Sequence, residues 1–130
     1  MKNLKKRLYV IQKHDASHLH YDLRLEMNGV LKSWAVPKEP PLKKGIKRLA
    51  VSVPDHEISY ARFQGRIPEG QYGAGEVEIW DDGYYVPVAV RKNSIVADIH
   101  GGKLKGAYCL VKLKPKSEKD KGRNWLFFKK

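Results

Sequence analysis

A mainly β fold is what this chain predicts: one domain over residues 1–130, a compact barrel or sandwich of about eight strands with few short helices. Three observations lead there. From His20 to Glu26 the residues alternate strictly. His20, Asp22, Arg24 and Glu26 fall at one parity and Tyr21, Leu23 and Leu25 at the other, the period of a strand with one dry face. Helical periodicity is low. Eight or nine short β-rich runs follow at close spacing, divided by glycine, proline and Asn-Gly signals. With 42% apolar residues in 130, the chain has material for a core that needs no staples.

Residues 1–7 carry Lys2, Lys5, Lys6 and Arg7 with little to bury, and are expected to be a mobile basic arm. Leu8 to Gln12 is the first strand. Residues 13–19 are expected to be a loop that delivers His14 and His18. The alternating strand follows, and Asn28-Gly29 signals a two-residue hairpin that returns Val30 to Val36 antiparallel, with Trp34 in the core. Pro37-Lys38-Glu39-Pro40-Pro41 stops the sheet, since proline cannot donate to a ladder. Lys43, Lys44, Lys47 and Arg48 then form a second cationic patch.

Leu49 to Val53 resumes β character, and Pro54-Asp55-His56-Glu57 is expected to turn and expose His56. Ile58 to Phe63 fits one helical turn. Gly65 to Gly75 is the most glycine-rich stretch. A phosphate-cradling loop would end in Lys-Ser or Lys-Thr and enter a helix. This one has no such lysine and enters the alternating run Glu76 to Trp80, so it is expected to be an irregular connection at a barrel rim. Asp81-Asp82-Gly83 reads as a turn before Tyr84 to Val90. Ile95 to His100, Ala107 to Leu113 and Asn124 to Lys130 supply the last strands, the final pair joined by the charged linker 115–123.

The formal net charge of +12 draws such a domain to nucleic acid or an anionic membrane. No apolar run approaches the roughly 18 residues of a spanning helix, and no basic amphipathic helix is evident, which leaves nucleic acid. The lone cysteine, Cys109, excludes an internal disulfide and a thiolate zinc site. Its apolar strand makes it a small core residue, consistent with a reducing, cytoplasmic location.

The polar parity of the second strand is where chemistry concentrates. His14, His20 and Asp22 would form a set of two imidazoles and a carboxylate if the 13–19 loop folded back, a donor set suited to Mn²⁺, Fe²⁺ or Zn²⁺. Arg24, two residues beyond Asp22 and on the same face, could clamp a phosphate. His56 could donate to a phosphate oxygen or to a leaving alkoxide. The plain alternative is a solvated strand face on which Arg24 pairs with Glu26 or another acid, His56 faces water and Tyr60 packs. His18 and His100 lack charged neighbours at useful spacing and are assigned structural roles. Lys38 and Arg48 fit a cationic rim that positions a backbone. No serine or cysteine nucleophile has a suitable context, so metal-assisted attack by water is the natural chemistry.

The run Val10-Ile11-Gln12-Lys13-His14-Asp15-Ala16-Ser17 and the run Leu19-His20-Tyr21-Asp22-Leu23-Arg24-Leu25-Glu26 resemble the 3′-phosphoesterase domain of bacterial and archaeal end-joining ligase D proteins. The likeness continues through Gly29 to Lys38, Asp55-His56, Tyr60-Ala61 and Ile67 to Gly75, and weakly through Leu104-Lys105-Gly106 and Trp125-Leu126. The resemblance implies a β-barrel with its site on a concave outer face. It implies a Mn²⁺-favouring hydrolase, with other divalent transition metals possible, acting on the 3′ ends of DNA or DNA–RNA primer-templates. A terminal ribonucleoside is removed to leave a 3′-phosphate, which is then hydrolysed to a 3′-OH for non-homologous end joining.

Matched position by position, His14, His20 and Asp22 would hold the metal, Arg24 and His56 would contact the phosphate, and Tyr60 and Gln12 would support the site. Lys38 and Arg48 match positions also tied to activity. Three departures stand out. Only Met1 to Arg7 precede the first strand where the family has an N-terminal extension, Pro54 replaces a frequent glutamate, and His18 a usual arginine. The expectation is a free-standing monomer that works beside separate ligase, polymerase and Ku-type proteins, with no membrane partner. Two other readings remain: a non-catalytic basic barrel that binds nucleic-acid ends, and a phosphodiesterase of RNA.

Overall fold

The computed structural model describes residues 5–130. It contains β1 (Arg7–Asp15), β2 (Leu19–Met27), β3 (Val30–Val36), β4 (Lys47–His56), a 3₁₀ turn (Ile58–Arg62), β5 (Gly65–Ile67), β6 (Gly75–Arg91), β7 (Ser94–Gly101), β8 (Lys105–Lys112) and β9 (Asn124–Lys129). Hydrogen-bonded order is β1-β2-β3-β4-β9-β8-β7-β6-β5, and β6 pairs with β1 as well. That last pairing closes eight antiparallel strands into a barrel, leaving β5 as a short addition beside the start of β6. Closure removes the open edges that an eight-stranded sheet would otherwise expose. The strand ladders account for the backbone polar groups, and Tyr9, Leu23, Trp34, Tyr85 and Phe127 fill the interior. Among the described residues no helix is long and apolar enough to cross a membrane.

The Asn28-Gly29 hairpin forms as its residues dictate. Both have positive φ, 52° and 82°, and Met27 pairs with Val30. The register that follows sets Arg24 opposite Ser33 and Asp22 opposite Ala35.

Several elements depart from the sequence reading. The expected basic arm is only partly described: residues 1–4 lie outside the described residues, Arg7 begins β1, and Lys6 Nζ sits 4.5 Å from the centroid of the Tyr84 ring. The supposed loop 13–19 shrinks to three residues, because β1 runs on through His14 to Asp15. Pro54-Asp55-His56 is no turn. β4 continues through it, and the ladder absorbs the missing proline N–H with a bulge: Leu31 pairs with His56, but Ser33 with Val53.

Asp81-Asp82-Gly83 is not a turn either; β6 runs unbroken for 17 residues. The reason lies far along the chain. The Asp81 carboxylate is buried and accepts from the Tyr9 hydroxyl (2.8 Å) and from the backbone N–H groups of Gly102 (2.8 Å), Lys103 (2.8 Å) and Leu104 (2.9 Å). It thereby caps the β7–β8 turn from inside the barrel, and it pushes the Tyr9 hydroxyl, already raised by burial, far above its usual range. A bulge at the Ile11–Gln12 register shift turns Asp81 inward. His100, assigned no charged neighbour, in fact meets Asp98 at 3.0 Å and stacks on Tyr84 at 4.6 Å.

Candidate metal centre and phosphate pocket

Residues directly opposite in a ladder share a face. In the β1–β2 ladder His14 faces His20, Gln12 faces Asp22 and Val10 faces Arg24. The hairpin itself, rather than a folded-back loop, therefore brings the two imidazoles and the carboxylate together. The face is not solvated as the plain alternative supposed: Gln12 is 0%, Arg24 3% and Asp22 6% exposed. What covers it is a second, small apolar cluster. Val10 and Leu31 from the sheet pack with Ile58, Tyr60 and Ala61 of the 3₁₀ turn, which lies over the outside of the barrel.

The donor atoms of His14, His20 and Asp22 all lie within 4.8 Å of one another. Asp22 Oδ2 is 3.5 Å from His14 Nδ1 and 3.3 Å from His20 Nε2. The other ring nitrogens contact backbone carbonyls, His14 Nε2 at Gly73 O (2.6 Å) and His20 Nδ1 at His18 O (3.0 Å). A carbonyl can only accept, so each outer nitrogen carries the proton. Each inner nitrogen of a neutral ring then turns a lone pair toward the carboxylate, the outer-shell arrangement found around metal-ligating histidines. These residues fit a divalent transition ion.

Electrostatics agree with that arrangement. When His20 is protonated its Nε2–H donates to Asp22, and that hydrogen bond raises the His20 pKa above its ordinary value against the pull of burial. Burial opposes ionisation of Asp22, yet the His20 hydrogen bond and the Arg24 charge hold its pKa below the usual value. Asp22 therefore stays ionised between the two imidazoles, and a cation seated there would compete with the His20 proton.

Arg24 is locked beside it. Its Nε donates to Gln12 Oε1 at 2.6 Å, its Nη1 to Ser33 Oγ at 2.7 Å, and its Nη2 is 3.5 Å from Asp22 Oδ2. Gln12 is in turn held by the carbonyls of Tyr60 (2.7 Å) and Phe63 (3.2 Å), to which its Nε2 donates. The guanidinium lies 4.9 Å from the Tyr60 ring centroid. His56 stacks on Tyr60 at 4.5 Å, and Tyr60 on Phe63 at 5.0 Å. Burial, reinforced by the Arg24 charge, lowers the His56 pKa, so the ring is mostly neutral at pH 7. The metal trio, Arg24, His56 and Tyr60 line one pocket of about 370 Å³, closed by Ala35, Val53, Ile67 and the glycine-rich loop.

Two predicted residues lie elsewhere. Lys38 and Arg48 line a separate groove with Pro37, Lys47 and Leu49, and Arg48 Nε donates to the Glu39 carbonyl at 2.7 Å. His18 contributes its backbone carbonyl only. Sequence reasoning missed Ser33, Tyr72 and Gly73. Ser33 was within reach, since the Asn28-Gly29 register pairs it with Arg24. Gly73 acts through a carbonyl, which leaves no side-chain signal.

The DNA ligase D 3′-phosphoesterase domain model matches residues 12–112. A multifunctional non-homologous end joining protein LigD from Pseudomonas aeruginosa is 50% identical over 109 residues, covering 80% of this chain and 13% of that protein. LigD proteins of Mycolicibacterium smegmatis and Mycobacterium tuberculosis strain H37Rv are each 44% identical, over 129 and 108 residues, covering 91% and 80% of this chain. The chain spans only 13–16% of the length of these relatives.

Proposed function

Because this chain belongs to the DNA ligase D 3′-phosphoesterase domain family, we propose that it is a metal-dependent hydrolase that processes the 3′ ends of DNA or DNA–RNA primer-templates for end joining. On this reading residues 1–130 are one such domain, its product a 3′-OH usable by a ligase or polymerase working with Ku-type proteins at the same break. The observation that carries the proposal is the convergence of His14, His20 and Asp22 within 4.8 Å beside a buried, oriented arginine. Mn²⁺ is the first assignment, and its chemistry when bound is Lewis-acid stabilisation of charge on the phosphate.

The chain's own residues do the rest. Arg24 offers its remaining Nη hydrogens to phosphate oxygens, and the bonds to Gln12 and Ser33 hold that fork in one orientation, so none of its ordering cost falls on the transition state. Tyr60 covers the guanidinium and limits water. His56, stacked on Tyr60, donates an N–H toward the departing 3′ oxygen. In-line attack by water forms a bond to phosphorus as the P–O3′ bond breaks; a 3′-phosphate yields a 3′-OH and inorganic phosphate. For a primer ending in a ribonucleotide, water would attack the phosphorus of the last linkage as its P–O5′ bond breaks, releasing the terminal ribonucleoside with a 5′-OH and leaving a 3′-phosphate. Lys38 and Arg48, in their outlying groove, would hold the nucleic-acid backbone without reading sequence.

The test is a 5′-labelled primer–template bearing a 3′-phosphate, incubated with the protein and Mn²⁺. Conversion to a 3′-OH is expected, abolished by EDTA and by Asp22→Ala, while most phosphate-driven binding survives both. Equal conversion by Asp22→Ala would refute the metal assignment. Salt-sensitive binding with no conversion under any metal would leave only a basic barrel that binds ends.

A further inference from the structure

Four tyrosines of this chain are buried, but Tyr72 is 87% exposed, the most exposed large hydrophobic residue described. It sits on the glycine-rich stretch between Gly70 (φ 86°) and Gly73 (φ 75°), and it lines the same pocket as His14, Asp22, Arg24 and His56. Its position is not arbitrary. The next residue's carbonyl accepts from His14 Nε2 at 2.6 Å, so the loop is tied to the metal trio at the point where the ring projects. A Cβ on Gly73 would lie 3.4 Å from His14 Cε1, so the loop already approaches in van der Waals contact.

The pocket lining holds further aromatic surface: His56 stacks on Tyr60, and Phe63, outside the lining, stacks on Tyr60 in turn. Among the described residues Tyr72 stacks on no other ring. The pocket thus combines an exposed tyrosine ring and a stacked His56–Tyr60 pair with the metal trio and the Arg24 guanidinium. An exposed aromatic face next to a phosphate site matches one chemistry well, the π-face of a nucleobase.

We propose that Tyr72 is a substrate-binding residue that stacks on the base of the 3′-terminal nucleotide while its phosphate reaches Arg24 and the metal trio in the same pocket. This deepens the functional reading above and rests on it for the identity of the substrate. It makes the site selective for ends that keep their terminal base, without selecting which base, because every base has a π-face. A stacking contact of the usual strength changes affinity by about five- to hundredfold.

The experiment is a cycle between a protein change and a substrate change. Fluorescein-labelled primer–templates are made with a 3′-phosphate on either an ordinary terminal nucleotide or an abasic deoxyribose. Dissociation constants are read by anisotropy in EDTA, where nothing is hydrolysed. The wild-type protein is expected to bind the base-bearing end at least fivefold more tightly, Tyr72→Phe to keep that preference, and Tyr72→Ala to bind both ends alike. Because Tyr72 is exposed on a loop, loss of its ring costs little stability, which circular dichroism melts check. A preference that survives in Tyr72→Ala, or its absence in the wild type, overturns the proposal. The Mn²⁺ conversion assay run alongside separates the two readings: failure of conversion with the preference intact sinks the enzyme and not the stacking residue.

Discussion

Replacing Asp81 by asparagine should be among the most damaging single changes in the barrel. The carboxylate receives four hydrogen bonds, two of them from groups with no route to water, the Tyr9 hydroxyl and the Leu104 N–H. Hydrogen bonds to an ionised acceptor contribute about 1.5–3 kcal/mol each, and a buried donor left unmatched costs its full desolvation. An amide keeps one acceptor oxygen and turns an NH₂ toward donors on the other side: either Gly102 and Lys103, or Tyr9 and Leu104. Counting only the two buried bonds gives a loss of roughly 3–5 kcal/mol. For a domain of this size that corresponds to a fall in Tm of about 10–20 °C. Thermal and urea melts of Asp81→Asn beside Tyr9→Phe, which removes one donor and is expected to cost about 1–2 kcal/mol, provide the measurement. If Asp81→Asn melts within about 3 °C of wild type, the claim that this carboxylate holds the β7–β8 turn to β1 is wrong.

Gly75→Ala should destabilise far more than Gly29→Ala: a Cβ at Gly75 would collide with the Asp15 carbonyl oxygen, whereas at Gly29 it meets nothing within 4 Å, leaving only the roughly 1 kcal/mol cost of positive φ. Urea midpoints of the two variants make the comparison, and equal midpoints would contradict it. Arg24→Lys keeps the charge but loses the fork that bonds Gln12 and Ser33, so conversion of a 3′-phosphate end should slow about a hundredfold with Mn²⁺ binding intact. Parallel rate and metal-binding measurements separate those effects. Burial pushes the Tyr108 hydroxyl up to about 12, while an unfolded tyrosine titrates near 10. The folded state therefore holds that proton longer, and stability, constant below about pH 10 as far as this group is concerned, should fall between about pH 10 and 12. Melting curves across that interval, with Tyr108→Phe showing a shallower fall, test the sign.

How much of this was legible in the chain depends on whether the information was local. The β2 alternation and the Asn28-Gly29 turn are short-range signals, and both were realised in the barrel. His14 was misplaced onto a loop because Asp15-Ala16-Ser17-His18 is polar and turn-like, whereas the strand persists through Asp15 by pairing with β6 as well as β2. The Asp81-Asp82-Gly83 signal failed for a similar reason. A turn needs its aspartate to satisfy nearby backbone, but this one serves a turn twenty-one residues on, through Gly102. Pro54 reads as a strand terminator until the bulge opposite Lys32 is known. The burial of Arg24 and Asp22 was likewise invisible, since it comes from a 3₁₀ turn more than thirty residues later folding over the outer face. Local chemistry identified the residue types of the site; long-range pairing decided where they meet.

The central claim is that His14, His20 and Asp22 grip one divalent ion beside Arg24. Titrating the protein with Mn²⁺ while following the free-ion electron paramagnetic resonance signal tests it directly. One equivalent of Mn²⁺ should disappear from the free signal with the wild-type protein, and none with Asp22→Ala at the same concentrations. Equal binding by the two proteins, or no binding by either, would contradict the account.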